Sequence, residues 1–162
     1  MSAEKIVASL EKLVKLHQSL NILANKKTEI VKLGDTEALN QLLVDEQKHI
    51  KAIDMTEKER QSAVTAFLQS KGQPAEPSTI TRVIELSSLT EAEALNRLKD
   101  ELIEEAVKLK EQNHLNQQLI YQSLQFVNIT LDMLRPQNQQ FNYDKPSHQK
   151  QQGSNSMFDS RA

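Results

Sequence analysis

The chain has 162 residues, enough for one domain with a real core. Its 20 basic and 22 acidic residues leave a net charge of −2 and are interspersed, which gives no electrostatic drive toward nucleic acid or anionic lipid. With no Cys, no Trp, three Gly and four Pro, it has no disulfide or thiolate chemistry and few turns, and it suits a reducing compartment.

The N-terminus, Met1-Ser2-Ala3-Glu4-Lys5, leads into an amphipathic pattern and not into an apolar signal core. No apolar run is long enough to span a bilayer, so the expected location is cytoplasmic, without membrane insertion.

Residues 3–33 place Ile6, Leu10, Leu13, Leu20, Ala24 and Val31 at three-four spacing, with His17 and Lys27 filling two seam positions. A flanking row of Val7, Val14, Leu23 and Ile30 broadens the stripe. Gly34 is suited to close this helix in the left-handed region, and Asp35 to cap the next. So short a link predicts an antiparallel helical hairpin. The second helix, over 36–71, is expected to set Leu39, Leu43, Ile50, Ile53, Val64 and Phe67 on its seam, interrupted by Glu46, Glu57 and Arg60.

Residues 71–77 contain two prolines and read as a loop. Ser78 is the expected cap of a short helix using Ile80, Val83, Ile84 and Leu86. From Pro77 to Pro136 the chain then has no Gly or Pro, and a long helix is expected from the capping box Thr90-Glu91-Ala92-Glu93 to Arg135. Its first half carries one narrow stripe, Leu95, Leu98, Leu102, Ala106 and Leu109.

Its second half carries two stripes. Ile120, Val127 and Leu134, with Asn116, Ser123 and Thr130 between them, form one; Leu115, Leu119, Phe126, Ile129 and Met133 form the other. Together they cover roughly 200° of the circumference at about 100° per residue, whereas a surface helix in a small bundle needs little over about 100°. Something beyond the chain's own core is therefore expected to cover the surplus.

Residues 137–162 are rich in Gln, Asn and Ser and bury too little apolar area to offset their chain entropy. The expectation is an all-α protein. An elongated antiparallel hairpin and one long third helix make a three-helix bundle of coiled-coil type over residues 1–136, with a short extra helix. A disordered tail follows over 137–162.

Catalytic constellations are sparse. Glu46-Gln47-Lys48-His49 and Glu111-Gln112-Asn113-His114 repeat the Glu-x-x-His spacing of di-iron bundles. That site also needs two carboxylates at the same level, and folding the hairpin about Gly34 sets residue 46 opposite Ile22, Leu23 and Ala24. No metal or other cofactor is expected. No nucleophile elbow or Gly-rich phosphate loop occurs, so no enzyme is expected. Asn113 and Asn116 read either as a register-setting polar step of the coiled-coil kind or as amide contacts to a partner.

The order of these parts carries a resemblance. A hairpin of two helices of thirty-odd residues precedes a Pro-containing link. A long helix follows with Leu-Asn-Gln-Gln-Leu-Ile (115–120) and Asp-Met-Leu (132–134), then a Gln/Asn-rich tail with Asn-Tyr-Asp (142–144). The whole chain resembles the FlgN family of flagellar export chaperones, in particular its Firmicute members.

The resemblance implies a cytoplasmic chaperone that binds the helical C-terminal segments of the hook–filament junction proteins FlgK and FlgL. It would prevent their premature association and deliver them to a type III export gate, whose gate and ATPase components are further partners. It implies client contacts at Leu115, Leu119, Phe126, Ile129 and Met133, and an export-gate role for Tyr143 and Asp144. The alternative is a structural coiled-coil adaptor that homodimerises through the same surface, with weak self-association as its milder form.

Overall fold

The computed structural model describes residues 2–135 and contains four helices, α1 (Glu4–Leu33), α2 (Thr36–Ser70), α3 (Ile80–Leu86) and α4 (Leu89–Leu134). The all-α class is the one expected, with no strand among the described residues. The chain divides into two compact units, one up to Gln125 and one from Phe126 onward.

The first unit is organised by two helix ends. Gly34 adopts φ 70° and its N–H donates to Val31 O, while the Asp35 N–H donates back to Ile30 O, closing α1. The Asp35 carboxylate then accepts from the Ala38 N–H at 3.0 Å and opens α2. Gly72, at φ 68°, closes α2 in the same way, with the Gln73 N–H donating to Leu68 O.

α1 and α2 are antiparallel, as their cross-contacts show: Lys12 meets Glu59, Ser19 meets His49 and Lys27 meets Glu46. α4 instead runs parallel to α1. Ala3 pairs with Glu91, Asn21 with Glu105 and Thr28 with Asn116, at sequence offsets of 88, 84 and 88.

The apolar core sits at one end of this unit, where α1 begins, α2 ends and α4 starts. Ile6, Leu10, Leu13 and Val14 pack there with Val64, Phe67, Leu68, Leu95 and Leu98, and Val83 of α3 fills the corner. Fully burying side chains of this kind stabilises by about 1.5–3 kcal/mol each.

Away from that end the seams turn polar, which displaces part of the expected pattern. Leu43 and Ile50 of α2 are exposed, while Leu42 and Thr56 are buried and Ile53 is half-buried. The α2 seam is in fact 42-46-49-53-56-60-64-67: Glu46 and Arg60 interrupt it as expected, while His49 stands where Ile50 was expected and Thr56 is buried beside Glu57. Each of these polar groups has a partner. Lys27 Nζ meets Glu46 Oε2 at 2.7 Å, with both side chains largely enclosed. His49 Nδ1 donates to Asp45 O at 2.8 Å, leaving Nε2 to accept from the Ser19 hydroxyl at 2.7 Å. Thr56 donates to Ala52 O, and the Arg60 guanidinium forks onto the Glu57 carboxylate at 2.6 and 2.8 Å.

The helix starts also shift. Thr79, and not Ser78, caps α3 by accepting from the Arg82 N–H. α4 starts at Leu89 and ends at Leu134, one residue earlier at each end than expected. Its capping box is Ser88-Leu89-Thr90-Glu91. The Ser88 hydroxyl accepts from the Glu91 N–H, and the Glu91 carboxylate accepts from the Ser88 N–H at 3.1 Å. The second Glu91 oxygen accepts from the Ala3 N–H at 2.7 Å, so one carboxylate satisfies the starts of both α1 and α4.

Candidate partner-binding helix face

Along α4 the environment of each residue follows what α1 offers it. Leu95 and Leu98 are buried in the core, and Leu102 and Leu109 are half-buried. Ala106, assigned to this stripe above, is exposed. Glu105 holds the inward position instead, where the Asn21 amide donates to its carboxylate at 2.7 Å and to its backbone carbonyl at 3.0 Å.

The next inward position is Asn116, only 2% exposed. Its amide N–H donates to Ala24 O at 2.8 Å, and its Oδ1 accepts from the Thr28 hydroxyl at 2.6 Å. Gln112 in turn donates to Thr28 Oγ1. Every polar atom of the cluster is satisfied, so Asn116 is the register-setting step between parallel helices, not a partner contact.

α1 then runs out. At the same 88-residue offset, its last residue, Leu33, is level with Tyr121. Leu119 and Ile120 are still half-buried, whereas Leu115, Tyr121 and Leu124 are exposed.

In the second unit every large apolar side chain of α4 is open. Phe126 is 71% exposed, Ile129 55% and Met133 80%, and on the other stripe Val127 is 49%, Leu131 57% and Leu134 74%. Monomeric soluble proteins rarely leave so continuous a run of large apolar groups in water unless a partner covers it. Four of the five apolar contact candidates, Leu115, Phe126, Ile129 and Met133, are therefore available at the surface, and Leu119 partly so.

One signal in the sequence was missed above. Between Glu111 and Asp132, α4 carries no Asp, Glu, Lys or Arg, although 26% of the chain is charged. From Tyr121 to Leu131 that uncharged run is almost wholly exposed, whereas solvated helix faces elsewhere in this chain carry charge.

Nothing comparable points to chemistry. A groove of about 750 Å³ between the start of α1 and the end of α2 is lined by Ala8, Ser9, Met55, Ser62, Ala63 and Ala66 among others, and Glu59 is its one carboxylate. Glu46 and His49 are engaged with Lys27 and Ser19, Glu111 and His114 are exposed, and no group of three acidic, His or Cys side chains among the described residues could hold a metal. His17 Nδ1 donates to Leu13 O at 2.8 Å, a boundary residue on its own helix. Tyr143 and Asp144 lie outside the described residues.

The described residues form an all-α protein in which α1 runs antiparallel to α2 and parallel to α4, and α4 carries exposed, uncharged apolar groups. The chain belongs to the FlgN family, whose model matches residues 1–151, and this places it among flagellar export chaperones, a family of binding proteins and not of enzymes. It is 39% identical to the uncharacterized protein YvyG of Bacillus subtilis (strain 168) over 164 residues, covering 100% of both chains. No solved structure matches it. Among the described residues no helix is long and apolar enough to cross a membrane.

Proposed function

We propose that the chain works in the cytoplasm as a chaperone of type III flagellar export. In this reading it holds the helical C-terminal segments of FlgK and FlgL, keeps them from associating early and hands them to the export gate. Leu115, Leu119, Phe126, Ile129 and Met133 take the client, and Tyr143 and Asp144 serve the gate and its ATPase components.

The observation that carries this reading is the exposed stripe from Leu115 to Met133 on an uncharged run of α4. An amphipathic helix docks through anchors at i, i+3, i+4 and i+7, and that stripe presents the matching spacing. Membership of the FlgN family supports the chaperone class, and the choice of FlgK and FlgL follows from the resemblance.

The test is calorimetric titration of Phe126→Ser/Ile129→Ser with C-terminal fragments of FlgK and FlgL, alongside thermal melting. Each buried side chain of this size contributes on the order of 1.5–3 kcal/mol, so affinity should fall by about tenfold or more. The melting temperature should barely move, because both groups are already in water. A large drop in melting temperature would place these residues in the core and remove the client face. Light scattering separates the adaptor reading: a stable homodimer indifferent to the fragments would favour a permanent coiled-coil partner over a client.

A further inference from the structure

The second unit presents two apolar faces, not one. Phe126, Ile129 and Met133 form the first; Val127, Leu131 and Leu134 form the second. Their centres lie roughly 130° apart at about 100° per residue. A single packed helix covers an arc of little more than about 100°, so a helix seated on the first face leaves the second in water. Thr130 stands between them on the near side, and on the far side a polar sector of roughly 160° at about 100° per residue is held by Asn128 and by Asp132, which lies 3.9 Å from Arg135.

We propose that this end of α4 takes two amphipathic helical segments of its partner, one on each face. The inference rests on the client-holding function proposed above and deepens it by adding Val127, Leu131 and Leu134 as a second contact surface.

Charge argues for the chemistry of the occupant. Gln112 to Leu131 offer no counter-ion, and Asp132 and Arg135 beyond them lie 3.9 Å from each other in the polar sector, so a charged partner side chain pressed onto either face would lose hydration with little compensation. Both partner segments must therefore bring faces that are apolar or carry amides and hydroxyls, which Asn and Gln side chains of α4 can meet. A second copy of this chain would also be neutral here. A two-fold contact between like helices, however, covers the same patch on each and leaves the other face open.

The absence of Cys makes the test direct, since an introduced thiol is the one reactive group of its kind. Three full-length variants are compared: Ile129→Cys on the first face, Leu131→Cys on the second and Asn128→Cys in the polar sector. Maleimide labelling is followed with and without the FlgK and FlgL C-terminal fragments. With a fragment at about ten times its Kd, labelling at Ile129→Cys and Leu131→Cys should slow about tenfold, while Asn128→Cys keeps most of its rate. Should a thiol at one position itself abolish binding, Met133→Cys or Leu134→Cys reports the same face.

Protection of one face alone overturns the two-segment inference and leaves the client reading standing. Protection of neither overturns both. Equal protection of all three positions means general occlusion and also overturns it. So does protection that grows with the concentration of the chain alone, which would identify a second copy as the occupant.

Discussion

Glu91 shows how much one residue can organise. Its carboxylate accepts from the Ala3 N–H and from both the N–H and hydroxyl of Ser88. The backbone bond from Ala3, followed by those from Ser88, holds its pKa below the ordinary carboxylate range. A depressed folded-state pKa contributes stability that is present above the unfolded value, about 4.3 for Glu, and is lost as pH falls through the folded one. Glu91→Gln keeps an acceptor for one N–H but loses the charge and the second acceptor. The variant should melt below the natural chain at neutral pH, and the gap should close as pH falls below the unfolded value of about 4.3 and through the lowered folded one, where the natural carboxyl takes up its proton. An equal gap at both ends of that titration would mean that the residue acts through packing alone.

At the scale of the helices, the existence of all four and the turn between α1 and α2 were legible because Gly34, Asp35 and the prolines leave the backbone few choices. The middle seams were not. Periodicity rewards apolar residues, so Leu43, Ile50 and Ala106 were set inward beside Glu46, whereas the structure keeps Glu46 and gives the other levels to Leu42, His49 and Glu105. A polar side chain wins such a position only when its partner stands opposite, as Lys27, Ser19 and Asn21 do, and that information lies in the register between helices and not within either one. The start of α4 was misplaced for a related reason. Ser88–Glu91 and Thr90–Glu93 both fit the capping-box pattern, and the bond from Glu91 to Ala3 accompanies the first.

The buried Asn116 cluster makes the energetic side of this testable. Asn116→Ala empties a closed site and leaves the Thr28 hydroxyl with only Ala24 O, at 3.1 Å, to donate to, which should cost about 1–3 kcal/mol in denaturant unfolding. Thr28→Val/Asn116→Leu removes both partners together and should recover much of that loss, because a matched apolar pair needs no hydrogen bond. A neutral Asn116→Ala would show that the cluster does not fix how α1 and α4 align.

For the molecule as a whole, the core and the exposed apolar groups of α4 fall on different stretches of the chain. The core is formed by residues 3–14, 64–68, 83 and 95–98, and the groups proposed to take a client begin at Leu115. Substitutions in one region should therefore leave the other's task intact. Tyr143, in the Asn-Tyr-Asp sequence that follows α4, lies outside the described residues. If it serves the export gate, Tyr143→Ala should bind FlgK and FlgL fragments with unchanged affinity and melt at an unchanged temperature. Secretion of both proteins should still fall when the variant replaces the natural chain in cells. Lost fragment binding would move Tyr143 into the client face, and secretion at the natural level would leave it without a part in delivery.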